Sequence, residues 1–163
     1  MKKFLDKLRN VLAIITAVLF AVIFVLIIVE IICRTFLGFS LLWMTDFVQI
    51  VVCWMLAFGM SAIIYTRDHL RIDFIKDMLP QKAKRFLSVL TDLLELIFFV
   101  MLVPYGAEIA ETKMNIMFTT LRWPTGYMYA ALPVFAFFCS VFSAWLLYDS
   151  VRKLISGGRT GGK

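Results

Sequence analysis

Residues 11–29 read VLAIITAVLFAVIFVLIIV, an apolar run without a charged side chain. A helix that crosses the hydrocarbon core of a bilayer needs about 20 apolar residues, since each residue advances it by about 1.5 Å. Windows of this kind cover residues 11–32, 47–65, 86–105 and 128–147. The sequence therefore predicts an all-α integral membrane protein with four transmembrane helices.

The composition agrees with a membrane domain, because 62% of the residues are hydrophobic and the mean hydropathy is +0.90. We expect one four-helix domain at residues 1–155, followed by a flexible tail at residues 156–163. The apolar part of a cleaved signal peptide is typically about 7 to 15 residues long. The first run is longer than that, so we expect a retained anchor helix.

The basic residues are distributed unevenly between the two sides that four crossings create. Of the 17 Lys and Arg residues, only Arg34, Lys113 and Arg122 lie on the side opposite the termini. By the positive-inside rule this predicts a cytoplasmic N-terminus and C-terminus. The net charge of +6 is then a topology signal, and we expect no nucleic-acid partner.

Two kinds of element are expected at the membrane surface. In the middle loop, apolar residues recur every three or four positions over residues 70–79, which predicts a short amphipathic interfacial helix. Aromatic residues that flank the crossings are expected as interfacial anchors. Trp123, Tyr127 and Tyr129 would lie at the outer surface, and Trp145 and Tyr148 at the inner one.

Acidic residues near or within the crossings are candidate functional sites, because a charge in hydrocarbon is unfavourable. The i,i+4 spacing of Glu30 and Arg34 favours a local ion pair. Asp92 and Glu95 share one face of the third helix, and we favour structural pairing with a neighbouring helix or subunit over an ion-relay role. Asp46 is expected to begin the second crossing as an N-cap.

Catalytic machinery is not visible in the sequence. His69 is the single histidine, and Cys33, Cys53 and Cys139 lack a C-x-x-C spacing. A nucleophile with its base, a multi-histidine metal site and a phosphate-binding glycine loop all need residue sets that the chain does not offer. We expect a protein without enzymatic activity and without a cofactor of its own.

Four separated stretches resemble the small membrane subunit, the Q subunit, of tripartite ATP-independent periplasmic (TRAP) transporters. They are residues 34–43, with an arginine closing the first helix and a tryptophan after the apolar loop; Phe58-Gly59-Met60-Ser61-Ala62; residues 67–73 with Leu79-Pro80; and residues 123–133, from Trp123-Pro124 to Ala131-Leu132-Pro133. The chain departs from the family at Met44-Thr45-Asp46, where glutamates are common.

The resemblance implies a noncatalytic scaffold subunit in the bacterial inner membrane. Its partners would be membrane lipids, a periplasmic substrate-binding protein and a large multi-helix membrane subunit that carries the sodium and substrate sites. The implied process is sodium-coupled uptake of an organic acid such as a dicarboxylate or sialic acid. As partner contacts we predict Arg34, Trp43 and Asp46 outside, Arg67, His69 and Asp73 inside, and Asp92 and Glu95 within the bundle.

Two alternatives remain open from the residues alone. The first is a self-sufficient four-helix exporter of small molecules, which also carries an acidic residue in its first helix. Such an exporter needs its glutamate where substrate competes with protons, whereas Glu30 is expected near the outer surface. The second is a membrane adaptor unrelated to transport, which hydrophobic periodicity alone does not distinguish from a transporter subunit.

Overall fold

The computed structural model describes residues 2–66 and 81–156. Over these residues the chain forms the helices α1 (Lys2–Phe36), α2 (Leu42–Thr66), α3 (Gln81–Lys113), α4 (Gly126–Tyr129) and α5 (Ala131–Ser156). The spans long and apolar enough to cross a membrane are Leu5–Phe36, Leu42–Tyr65, Leu87–Lys113 and Gly126–Arg152. The predicted number of four membrane helices is confirmed. The predicted interfacial helix at residues 70–79 and nearly all of the tail lie outside the described residues.

The helices are longer than the predicted crossings. Helix α1 has 35 residues and is therefore about 52 Å long, against about 30 Å for the hydrocarbon core. Helix α3 continues through Pro104 to Lys113. Helix α2 already begins at Leu42, so the prediction that Asp46 caps its start is wrong. Asp46 lies in the second turn, and its carboxylate has another role.

The helices pack in the order α1, α2, α5, α3. Small residues bring two of these pairs of neighbouring helices close together. A Cβ added at Gly59 of α2 would lie 3.0 Å from Thr16 Cγ2 of α1, and Ser61 Oγ of α2 lies 3.6 Å from Cys139 Sγ of α5. Close approach through small side chains is the usual way in which membrane helices gain packing energy.

The core is small, and most large apolar side chains are exposed. Leu5, Leu12, Ala62 and Phe142 form a buried cluster where α1, α2 and α5 meet. Elsewhere on α1 and α3, large side chains such as Phe20 and Phe98 point away from the bundle. This distribution suits helices surrounded by lipid or by another membrane protein, and it is the reverse of the pattern in water-soluble bundles.

The bundle has two ends, which we name by what they carry. The loop end carries the α1–α2 connection at residues 37–41 and the segment of residues 114–125 between α3 and α4. The terminal end carries the first residues of α1 and the last residues of α5. At the terminal end the Tyr65 hydroxyl donates a 2.7 Å hydrogen bond to Asp6 Oδ1, which fastens α2 to the start of α1.

Candidate functional site

Asp46 is a hydrogen-bond acceptor that connects two helical hairpins at the loop end, one formed by α1 and α2 and the other by α3 and α5. Its Oδ2 atom accepts hydrogen bonds from the Thr120 backbone N–H at 3.1 Å, the Thr120 hydroxyl at 2.5 Å and the Leu121 backbone N–H at 3.1 Å. Carboxylates that accept several donors form the stronger class of protein hydrogen bonds. Asp46 therefore holds the 114–125 segment against the first turns of α2.

The 114–125 segment is itself a folded turn. The Phe118 N–H donates to the Trp123 carbonyl at 2.8 Å, and the Arg122 N–H donates to the Phe118 carbonyl at 3.3 Å. Arg122 has a φ of 55°, a left-handed conformation that non-glycine residues seldom adopt. The Thr125 hydroxyl closes the turn, since it lies 3.0 Å from the Lys113 and Ile116 carbonyl oxygens.

Two further contacts fix the connection from this turn into the last helices. A Cβ added at Gly126 would lie 2.7 Å from the Ala110 carbonyl oxygen of α3 and 2.6 Å from Met114 Sδ. Only glycine allows so close an approach between α4 and α3. The Trp54 indole N–H of α2 donates to the Tyr127 carbonyl at 3.1 Å, so the connection is also fastened to α2.

The predicted outer contacts and anchors are found around this assembly. Arg34 and Trp43 are exposed. The rings of Trp123 and Tyr127 are also exposed and lie 6.4 Å apart between centroids. Tyr129 is half-buried, and the Lys113 ammonium lies 5.8 Å from its ring centroid. Amphipathic aromatic rings beside cations suit the headgroup region of a bilayer.

Asp92 contacts a neighbouring helix of its own chain. It is only 4% exposed, and its Oδ2 accepts a 2.5 Å hydrogen bond from the Ser150 hydroxyl of α5. Glu95 lies one turn further along the same face of α3 and is half-buried. The structure thus places Asp92 in a contact between helices α3 and α5, and its prediction as a contact to a partner subunit is not tested by this arrangement.

The expected pairing of Glu30 with Arg34 is not formed. Among residues 2–66 and 81–156, Glu30 makes neither a hydrogen bond nor an ion pair, although the two side chains are one turn apart on α1. Helical spacing allows such a pair but does not enforce it, because exposed ion pairs contribute little after the side-chain entropy is subtracted. The acceptor oxygens of Glu30 are left for other groups.

At the terminal end, the predicted inner contacts Arg67, His69 and Asp73 lie outside the described residues. The inner anchors are described: Trp145 is half-buried, Tyr148 is exposed, and their ring centroids are 5.7 Å apart. Over the part of the chain that the structure describes, no group of three His, Cys, Asp or Glu residues could hold a metal ion.

Sequence reasoning missed the partners of the two best-placed acids. Thr120 and Ser150 are ordinary polar residues in the sequence, and their acceptors are 74 and 58 positions away. Ser150 follows Cys139, Ser143 and Leu146 at intervals of three and four residues, and all four are buried. This shared helical face of small and apolar residues is a signal that could have marked Ser150 as facing the interior of the bundle. Thr120 gave no comparable signal.

Comparison with known proteins agrees with this architecture. A search of curated proteins finds no match to the chain. A family model does match it, over residues 23–153, and that range contains the last part of α1, all of α2, α3 and α4, and α5 almost to its end. The chain belongs to this family, the DctQ component of tripartite ATP-independent periplasmic transporters, and is a multi-pass membrane protein.

Proposed function

We propose that this chain is the small, noncatalytic scaffold subunit of a TRAP transporter and supports the large membrane subunit in sodium-coupled uptake of an organic acid. The family match over residues 23–153 carries the proposal. A periplasmic binding protein delivers the substrate, which is a dicarboxylate, sialic acid or a similar carboxylate. Sodium binds in the large subunit, and the small subunit holds no cofactor.

The proposed setting is the bacterial inner membrane, with the loop end in the periplasm and both termini in the cytoplasm. The basic residues support this orientation, since only three of the 17 Lys and Arg residues are expected at the loop end, namely Arg34, Lys113 and Arg122. The loop end then faces the binding protein. The exposed rings of Trp123 and Tyr127 lie at the periplasmic headgroups.

The internal contacts of the bundle support a scaffold role. A transport domain that moves through the membrane needs a stationary part against which it moves. The Asp46–Thr120 contact joins the two hairpins, and the Asp92–Ser150 contact joins α3 to α5. These polar groups hold helices together, which is what a rigid platform needs. The broad exposed apolar faces of α1 and α3 offer area for lipid and for the large subunit.

The predicted partner contacts are retained with one change. Arg34 and Trp43 are exposed at the loop end, where they are available to the large subunit or the binding protein. Asp46 uses Oδ2 for the 114–125 segment, so a partner contact would involve its other oxygen. Arg67, His69, Asp73, Asp92 and Glu95 remain proposed contacts.

The family match favours this function over both alternatives considered from the sequence. The matched family is one component of a tripartite transporter. A self-sufficient exporter works without such components, and an unrelated adaptor has no role in transport. An exporter would also use Glu30 as a substrate-competing acid in the middle of the membrane. Glu30 instead lies six residues before the end of α1 at the loop end.

Co-expression with the large membrane subunit tests the proposal. An affinity tag on this chain should recover the large subunit from detergent extract at a fixed ratio. Membrane-impermeant labelling of single cysteines should reach residue 40 from the periplasm and residue 160 from the cytoplasm. Purification of this chain without the large subunit, or the reverse labelling pattern, would contradict the proposal.

A further inference from the structure

Helix α2 has one face that no other described helix covers. Its exposed positions Thr45, Gln49, Leu56, Met60 and Ile63 recur at intervals of three, four and seven residues, which places them along one stripe. The contacts with α5 come from other positions, such as Ser61. We call this stripe the open face of α2. It lies within the apolar span Leu42–Tyr65.

Gln49 is a polar side chain on the open face. It follows the start of α2 at Leu42 by about two turns, roughly 10 Å along the helix axis, so its amide lies within the apolar span. Among residues 2–66 and 81–156 it makes no hydrogen bond. Lipid tails offer an amide no donor or acceptor. A protein that covers this face can offer both.

Glu30 lies at almost the same height on α1. It belongs to the less exposed positions 5, 9, 12, 16, 19, 23, 26, 30 and 33, which recur every three or four residues. Thr16 of this series contacts Gly59 of α2. The same number of residues separates Glu30 from Thr16 and Thr45 from Gly59, and the two helices are antiparallel. Glu30 is therefore level with Thr45, one turn from Gln49.

Glu30 and Gln49 together indicate which chemical groups a protein that covers this surface must offer. A half-buried carboxylate that makes no ion pair within residues 2–66 and 81–156 and an exposed amide within an apolar span occur at one depth. Ionisable and amide side chains at such depths normally pair with protein groups. Charge complementarity with Glu30 requires a cation, and the amide requires a second polar group nearby.

We propose that the large membrane subunit docks on the loop-end half of the α1–α2 hairpin, with a Lys or Arg of a membrane-spanning helix bound to Glu30 and a polar group bound to Gln49. This inference rests on the proposed function and deepens it, since it assigns the contact to a particular surface. Leu56, Met60 and Ile63 continue the contact toward the terminal end as an apolar stripe.

Binding of the large subunit to full-length variants tests the assignment. Glu30→Gln removes the charge and should weaken association by about 30-fold or more, the effect of breaking a buried charge pair. Gln49→Leu should weaken it by about 3-fold to 20-fold, the range of hydrogen bonds between membrane helices. The control is Glu108→Gln, which removes the charge of an exposed glutamate near the end of α3, away from the proposed contact, and should bind as the wild type does.

A second measurement separates docking from folding. Neither Glu30 nor Gln49 makes a hydrogen bond within residues 2–66 and 81–156, so both variants of the isolated chain should melt at the wild-type temperature. Wild-type affinity in both variants, or a lowered melting temperature that accompanies the weaker binding, would overturn the assignment. Failure of the wild-type chain to bind the large subunit would instead overturn the proposed function.

Discussion

The hydrogen bond between Ser150 and Asp92 joins α5 to α3, and Ser150→Ala removes it. The two oxygens are 2.5 Å apart, and the residues are only 7% and 4% exposed, so water does not easily replace the lost donor. A hydrogen bond to a charged group contributes about 1.5 to 3 kcal/mol, whereas bonds between membrane helices average about 0.6 kcal/mol. Because Asp92 stays buried, we expect a loss of about 1.5 to 2.5 kcal/mol in the free energy of unfolding.

Unfolding by SDS in mixed micelles measures this loss. Ser150→Ala, Asp92→Ala and the double variant form a cycle in which the coupling energy should be at least about 0.5 kcal/mol. Ser140→Ala is the matched control, because the Ser140 hydroxyl bonds the Ala136 carbonyl of its own helix at 2.8 Å and joins no two helices. Additive effects of the two single variants, within about 0.3 kcal/mol, would refute the reasoning.

Four further variants probe the loop end and the close contact between α1 and α2. Gly126→Ala should lower the free energy of unfolding by about 1 to 3 kcal/mol. Gly59→Ala should lower it by less, since the closest neighbour of a Cβ at Gly59 is a side-chain methyl group at 3.0 Å. A larger loss for Gly59→Ala than for Gly126→Ala would contradict the geometry. Trp54→Phe removes one interhelical donor and should cost about 1 kcal/mol in the same unfolding assay, and an unchanged value would show that the bond does not contribute. Asp46→Ala should speed hydrogen exchange of the backbone amides in the 114–125 segment, measured by mass spectrometry. Unchanged exchange there would mean that Asp46 does not hold the segment.

The apolar runs sufficed to predict four membrane helices, because the thickness of a bilayer sets how long an uncharged run must be. The ends of the helices were harder to predict. Helix α2 starts at Leu42, whereas the predicted window starts at residue 47. The prediction misses this start because a count of apolar residues cannot tell the last residues of a loop from the first turn of a helix. The last residues of α3, through Lys113, fall outside any apolar window because they are polar.

The candidate site depended on contacts that periodicity does not contain. Asp46 was recognised as an important acid, but its donors come from a turn whose shape depends on the left-handed conformation of Arg122. The local pair of Glu30 with Arg34 was expected from spacing alone, and the structure does not form it. Spacing identifies which side chains can meet, whereas packing against the rest of the chain decides which of them do.

Uptake into proteoliposomes is the most direct test of the central claim that this chain is a scaffold subunit. With an inward sodium gradient, labelled organic acid should accumulate only when this chain, the large membrane subunit and the binding protein are all present. Liposomes that contain this chain alone should remain impermeable to the solute. Solute flux through the isolated chain, or full uptake by the other two components without it, would contradict the account.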